Sequence, residues 1–189
     1  MTSRSNPAPD APAPTDTLPR VAARVVLRRL RGSDLHAFQA YRGDPEVGRY
    51  QGWSPMPDAN AASFLAEMSA APLLRQGEWV QLGIAALETD VLLGDIGLFL
   101  SPDGAHAEIG FTLARAAQGQ GIAREAVREA IDMVFARTAV TEVRAITDAR
   151  NLASVGLLQR LGFTLQARCE TTFRGEPCVE LVYRLGRTA

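Results

Sequence analysis

The sequence contains no lysine, and all 20 of its basic residues are arginine. Arginine binds phosphate and carboxylate through a bidentate fork, but here the arginines are interspersed with aspartate and glutamate, as on a solvated surface. We therefore attribute the uniform use of arginine to genome composition rather than to a binding function. The formal net charge of −1 also argues against attraction to polyanions, so we expect no direct nucleic-acid binding.

Long apolar runs and targeting signals are also missing. No run approaches the length of a membrane span, and the start lacks a charged segment followed by an apolar stretch. We therefore expect a cytoplasmic protein without a membrane partner. Residues 1–19 are rich in proline, alanine and small polar residues and are predicted to be a flexible tail. Residues 20–189 are long enough for one domain with a full core.

Histidine and cysteine are scarce, with two residues of each. The histidines stand alone and no metal-ligand spacing is present, so we expect no metal site. A predicted hairpin turn at residues 174–175 would place Cys169 opposite Glu180 and Cys178 opposite Thr171. The two sulfur atoms are then not direct partners, and we expect buried free thiols rather than a disulfide.

The glycine-bearing segment at residues 118–123, Gln-Gly-Gln-Gly-Ile-Ala, carries the most information. It follows a strand-like run at 108–113 and precedes a helix-like run at 124–136. Glycine tolerates a positive φ and lets a ligand approach the backbone closely, and the N–H groups at a helix start face an anion. The segment therefore predicts a site for a phosphorylated ligand, with a plain strand-to-helix connection as the alternative.

Hydrophobic periodicity and turn residues predict the order β, helices, βββ, α, β, α, ββ. This order is typical of an α/β (α+β) protein with a mixed, mostly antiparallel sheet of about seven strands and helices on its faces. Trp79 is expected in the core. The predicted strands are residues 21–30, 78–88, 91–100, 106–113, 143–147, 163–171 and 177–185.

Three segments resemble the GNAT superfamily of acetyl-CoA-dependent N-acetyltransferases, and within it the RimJ/RimL-type group. Residues 118–123 fit the Gln/Arg-x-x-Gly-x-Gly/Ala pattern of the superfamily. Residues 151–154 with residues 158–163 resemble the group's Asn-x-x-Ser and leucine-Gly-Phe segment, and residues 44–53 resemble its N-terminal segment. A single short motif would be weak evidence, but three occur in the right order and structural context, and the resemblance as a whole covers nearly all of residues 21–185.

The resemblance implies a sheet that splays open between the strands at 106–113 and 143–147, with acetyl-CoA as the acyl donor. The pantetheine arm would lie in the opening and pair with free backbone groups, because an unpaired strand edge satisfies amides. The diphosphate would bind the helix start. The residues assigned to this donor site are Phe111, Thr112, Leu113, Gln118, Gly119, Gln120, Gly121, Ile122, Ala123, Arg124 and Asn151.

Glu108 is the first candidate for the base that accepts the proton of the amine. Strand alternation places His106, Glu108, Gly110 and Thr112 on one face, and Gly110 leaves room for a substrate. A cross-strand ion pair is an equally good explanation of Glu108, and a water chain could replace it as the base. His106 is a weaker alternative.

Ser154 is the candidate hydrogen-bond donor to the departing thiolate, because the RimJ/RimL-type group resembles this chain in offering serine where many relatives use tyrosine. An ordinary first-turn serine is the alternative, since Asn151 is a suitable N-cap three residues before it. Asn151 could cap the helix and bind the pantetheine at the same time.

The resemblance implies an amine acceptor and a homodimer, and Tyr50 and Trp53 are expected to line the acceptor site, with core packing as the alternative. An N-terminal α-amine of a protein or peptide is the first hypothesis for the acceptor. Its pKa of about 7.7–8.0, against about 10.4 for lysine, leaves part of it neutral near pH 7. The alternatives are a small amine (a polyamine, an amino acid or an aminoglycoside) and a non-catalytic acyl-CoA-binding module.

Overall fold

The computed structural model describes residues 18–187, which contain an eight-stranded sheet in the order β1-β2-β3-β4-β5-β6-β8-β7. The prediction for residues 1–19 therefore falls almost entirely outside the described residues. The strands are β1 (Arg20–Val21), β2 (Val25–Arg29), β3 (Trp79–Ala86), β4 (Leu92–Leu100), β5 (His106–Leu113), β6 (Glu142–Asp148), β7 (Thr164–Phe173) and β8 (Glu176–Gly186). The helices are α1 (Leu35–Arg42), α2 (Pro45–Gly48), α3 (Asp58–Ala70), α4 (Ile122–Arg137) and α5 (Leu152–Arg160).

The sheet is mixed, as predicted, because every neighbouring pair is antiparallel except β5 with β6. The extra strand arises where one continuous strand at residues 21–30 was expected. The chain instead turns back after β1, with the Ala22 amide donating to the Val25 carbonyl at 2.9 Å, so that β1 pairs with β2. This tight turn places Arg24 on the edge of the sheet, beside α4.

The sheet opens between β5 and β6. The two strands pair in parallel only where His106, Ala107 and Glu108 meet residues 142–144. Beyond Glu108, β5 continues to Leu113 and β6 continues to Asp148, but the two strands no longer pair with each other. The predicted splay is thus confirmed as a wedge-shaped gap, and its apex lies at Glu108.

Helices cover both faces of the sheet. The apolar face of α4 packs on one side against buried residues of β5 such as Ala107 and Ile109. Helices α1 and α3 cover part of the other side, around Phe38 and Leu65. The apolar face of α4 expected from the 3.6-residue period is buried as predicted, at Ile122, Ala126, Val127, Ala130, Ile131 and Val134.

A buried polar network joins α1 to β4. The hydroxyl of Tyr41 and the guanidinium of Arg42 both donate to the carboxylate of Asp95, the latter at 2.9 Å. Burial, and then the negative charge of Asp95, raises the pKa of Tyr41 well above its usual value, so the hydroxyl remains a donor. Arg42 also stacks on the ring of Trp53 at 4.4 Å, which links this network to the loop after α2.

Two expectations about burial were wrong. Trp79 is 48% exposed rather than in the core, because it begins β3 and packs its ring on Phe99 of β4 at 5.4 Å. Both cysteines are free and face Glu180 and Thr171 as expected, but only Cys178 is buried. Cys169 is exposed because the outer strand β7 has only β8 as a neighbour in the sheet.

None of the helices in residues 18–187 is long and apolar enough to cross a membrane.

Candidate functional site

The turn between β5 and α4 has the backbone conformation that the glycine pattern predicts. Gly119 and Gly121 have φ values of +73° and +80°, and Gly121 is the N-cap residue of the 16-residue helix α4. No side chain caps this helix, so the N–H groups of Ile122, Ala123 and Arg124 lack the partners that helical geometry would give them. A Cβ built on Gly119 would meet no atom within 4 Å. Open space therefore adjoins the backbone where an anionic group would bind.

The side chains of the two glutamines in this turn fold back onto the chain before it. Gln118 Nε2 donates to the Leu113 carbonyl at 3.0 Å, and Gln120 Nε2 donates to the Ala116 carbonyl at 2.6 Å. Both glutamine side chains are thus occupied by the preceding chain, and the backbone amides of the turn are the groups left for a ligand. Arg124 is exposed and would lie beside such a ligand.

The edge of β5 that faces the gap is formed by Phe111 and Leu113. The Ala114 amide donates to β4, at the Leu93 carbonyl, and an antiparallel ladder alternates, so Thr112 also turns its backbone toward β4. Phe111 and Leu113 turn theirs toward the gap. The Phe111 carbonyl accepts a hydrogen bond from Gln51 Nε2 at 3.4 Å. The two N–H groups on this edge are therefore directed into the gap.

The opposite side of the gap leads into α5. Asn151 is the N-cap residue of this helix, and its Oδ1 accepts a hydrogen bond from the Ser154 amide at 3.2 Å, as the spacing predicted. The Ser154 side chain is partly buried, and its Oγ has no hydrogen-bond partner among residues 18–187. The hydroxyl is thus unpaired among the described residues, in the first turn of the helix that follows β6.

Glu108 lies at the apex of the gap, on the face of β5 that α1 partly covers. Its side chain is 31% exposed and lies 3.7 Å from Nε2 of His106. Gly110, the next residue on the same face, would have no atom within 4 Å of an added Cβ. A carboxylate beside open space at the closed end of the gap is suitably placed to accept a proton from a substrate.

The loop between α2 and α3 lies across the open end of the gap. The tip of the β7–β8 hairpin holds it there, because the Arg174 guanidinium donates to the carbonyls of Gln51 at 3.2 Å and Trp53 at 2.9 Å. The ring of Tyr50 lies 5.9 Å from the Arg150 guanidinium. Tyr50 and Trp53 therefore both belong to this covering loop, and Trp53 additionally packs on the α1 network.

Asp148, at the end of β6, is a second carboxylate near the gap, and no sequence motif pointed to it. It is buried and accepts a bidentate interaction from Arg150, at 3.0 and 2.7 Å. This hydrogen-bonded arginine holds the pKa of Asp148 below its usual value. Asp148 is therefore an ionised carboxylate that Arg150 already pairs, which argues against it as a proton acceptor.

An open trough lies across β6 from Glu108, on the same side of the sheet. Its volume is about 300 Å³, and it is lined by Glu142, Arg144, Gln166, Val182 and Arg184. Arg144 lies in register with Glu108 across the last paired position of β5 and β6. The trough thus extends from the apex of the gap across β6 toward the outer strands.

Comparisons with known proteins agree with this geometry. The model of an acetyltransferase (GNAT) domain matches residues 24–164. The uncharacterized N-acetyltransferase p20 of Bacillus licheniformis is 31% identical over 141 residues, which cover 74% of this chain and 79% of that protein.

Solved structures share the fold at low sequence identity. RimL, a ribosomal-protein α-N-acetyltransferase solved in complex with coenzyme A, has a TM-score of 0.75 at 16% identity, covering 88% of this chain and 96% of that one. The microcin self-immunity acetyltransferase MccE, solved with acetyl-CoA and AMP, has a TM-score of 0.76 at 15% identity, covering 88% of this chain and 94% of that one.

Proposed function

We propose that this chain, which belongs to the GNAT acetyltransferase family, acetylates the N-terminal α-amine of a protein or peptide. The family reaction, which this chain shares, transfers an acetyl group from acetyl-CoA to an amino group. The choice of an α-amine, the RimJ/RimL-like grouping, the homodimeric state and the cytoplasmic location are the parts that we infer.

The acceptor side of the site supports a polypeptide substrate. The trough is open and includes Arg144, the β6 residue in register with Glu108, and three of its five lining residues are charged. Small-molecule sites more often enclose most of the ligand's surface. An open trough with charged side chains in its lining, on the strand next to Glu108, suits an extended chain whose terminal amine reaches Glu108, and this observation carries the proposal.

The donor side fits acetyl-CoA. The free amides at the start of α4 and the open space beside Gly119 suit a diphosphate. The gap-facing edge at Phe111 and Leu113 suits the amides of a pantetheine arm. We assign Asn151 to the end of the same path, because it begins the helix on the far side of the gap.

The chemistry then divides among three groups of the chain. Acetyl-CoA supplies an acetyl group activated as a thioester. Glu108 accepts the proton that the amine loses as the carbon–nitrogen bond forms, directly or through a water chain. The gap-facing N–H groups of β5 stabilise negative charge on the carbonyl oxygen. Ser154 Oγ donates a hydrogen bond to the sulfur as the carbon–sulfur bond breaks.

A panel of amines tests the acceptor. Release of the CoA thiol would be followed with peptides that have free N termini, with the same peptides N-terminally blocked but containing lysine, and with polyamines, amino acids and aminoglycosides. Peptides with free α-amines should be acetylated fastest, with the product located by mass spectrometry. Because the chain has no lysine, acetylation of its own side-chain amines adds no background.

Turnover of small amines without turnover of peptides would replace the proposal with the small-molecule alternative. Retention of acetyl-CoA without turnover of any amine would instead identify a binding module.

Replacing Glu108 with glutamine should lower kcat/KM for a peptide about tenfold at pH 7. The loss is modest because an α-amine of pKa about 7.7–8.0 is already partly neutral at that pH. The defect should shrink as the pH rises toward 9, since the amine then needs less help to lose its proton. The measurement is a pH profile of both forms, and a defect that does not change with pH would exclude Glu108 as the base.

Replacing Arg174 with alanine should raise the KM for the peptide about fivefold and leave the affinity for CoA unchanged. The variant loses the two hydrogen bonds that hold the loop over the acceptor side, at the Gln51 and Trp53 carbonyls. Arg168 is exposed on β7, the strand that leads into this hairpin turn, and Arg168→Ala is the matched control. Equal KM values for the two variants would show that peptide binding does not depend on the hydrogen bonds from Arg174 to the loop.

A further inference from the structure

Arg24, which is distant from the glycine turn in sequence, contacts that turn in the folded chain. It lies in the tight turn between β1 and β2, and its Nη1 donates to the Gln120 carbonyl at 2.8 Å across 96 residues of sequence. Its Nε donates to Glu125 Oε1 at 2.7 Å, and its own amide donates to Glu125 Oε2 at 3.1 Å. One arginine thus contacts both the glycine turn and the first helical turn of α4.

The Gln120 carbonyl is the part of the turn whose direction matters most. It belongs to the peptide unit between Gln120 and Gly121, and left-handed glycines stand on both sides of Gln120. Glycine has several accessible backbone conformations, so a peptide unit between two of them needs an outside contact to stay in one orientation. Arg24 provides that contact, and Nη2 lies 3.1 Å from where a Cβ of Gly121 would stand.

The guanidinium also offsets an unfavourable charge. Glu125 lies in the first turn of α4, next to the amides that we assign to the diphosphate, where an unpaired carboxylate would repel an anion. Arg24 pairs with it. The motif position that often holds an arginine is Gln118 here, and its amide is bonded to the Leu113 carbonyl instead.

We propose that Arg24 is a positioning residue for the acyl donor: it holds the Gln120 carbonyl so that the amides of the turn stay directed at the diphosphate. This inference rests on the proposed placement of the diphosphate on the turn. Arg24 acts through the backbone and does not itself take part in acetyl transfer.

The chain provides a matched control one helical turn away. Arg20 of β1 pairs with Glu129 of α4, with Nε and Nη2 at 3.2 and 3.0 Å from Oε2. The two arginines therefore link the same hairpin to the same helix through the same kind of ion pair. Among the contacts of residues 18–187, only the Arg24 side chain also reaches a carbonyl of the glycine turn.

The test compares Arg24→Ala with Arg20→Ala in the full-length protein, with CoA affinity measured by calorimetry and kcat measured at saturating acetyl-CoA. Arg24→Ala should raise the Kd for CoA and the KM for acetyl-CoA about tenfold, with kcat within twofold of the wild type. Arg20→Ala should keep the wild-type Kd for CoA and the wild-type KM for acetyl-CoA. Its thermal stability should change about as much as that of Arg24→Ala. Equal Kd values in the two variants would overturn the proposal.

The double variant Arg24→Ala/Glu125→Gln separates the carbonyl contact from simple charge balance. If holding the Gln120 carbonyl is what matters, the double variant should keep most of the tenfold loss. Full recovery of CoA affinity would overturn the proposal, because charge balance alone would then explain the effect. A wild-type protein that fails to bind CoA would instead contradict the proposed function, so the two failures are distinguishable.

Discussion

Replacing Ser154 with alanine is expected to lower kcat about a hundredfold and to leave the Kd for CoA within twofold of the wild-type value. The hydroxyl has no hydrogen-bond partner among the described residues, although it lies in the first turn of a helix beside the gap. A thiolate that leaves without a hydrogen bond is a poorer leaving group, whereas the bound thioester carries little charge on sulfur. The lost interaction is therefore one that develops in the transition state.

The helix itself should survive the substitution. The capping bond uses the backbone amide of Ser154 and the side chain of Asn151, and alanine is a good helix former. Ser63→Ala is a suitable control, because Ser63 lies in α3 with its Oγ bonded to the Ala59 carbonyl at 3.0 Å. Steady-state kinetics and calorimetry on both variants decide the matter. A Kd that rises as much as kcat falls would make Ser154 a binding residue rather than a donor to the leaving group.

Local chemistry made much of the donor side predictable from sequence. The positive φ at Gly119 and Gly121 follows from residue type, and the Asn151 cap follows from a three-residue spacing. The alternation that places Glu108 and Gly110 on one face follows from strand geometry. The position at which β5 and β6 part was implied by the family resemblance, and the structure shows it beyond Glu108.

The contacts that hold the site together were not predictable, because they join distant parts of the chain. Arg24 reaches Gln120 across 96 residues, and Arg174 reaches Gln51 across 123. In a chain whose basic residues are all arginine, composition does not distinguish these two from the arginines on the surface. The exposure of Trp79 was likewise missed, since a large aromatic residue in a strand is typical of a core and only the assembled sheet shows where the helices stop covering it.

Replacing Gly119 with valine should weaken CoA binding about a hundredfold or more while kcat for the residual complex changes much less. The branched side chain would occupy the open space beside the turn, where no atom now lies within 4 Å. It would hold the diphosphate away from the amides, and each charge-assisted hydrogen bond lost contributes about 1.5–3 kcal/mol. Loss of two such bonds accounts for the expected change in Kd.

Backbone strain is the competing explanation, because valine at φ +73° costs about 1–2 kcal/mol wherever it occurs. Gly77 provides the comparison. Its φ is +77°, and an added Cβ would approach only Pro102 Cγ, at 3.9 Å. Gly77→Val should therefore lower the thermal stability about as much as Gly119→Val and keep the wild-type affinity for CoA. If calorimetry found the same weakened affinity in both variants, strain would explain the loss, and the diphosphate would have to bind elsewhere.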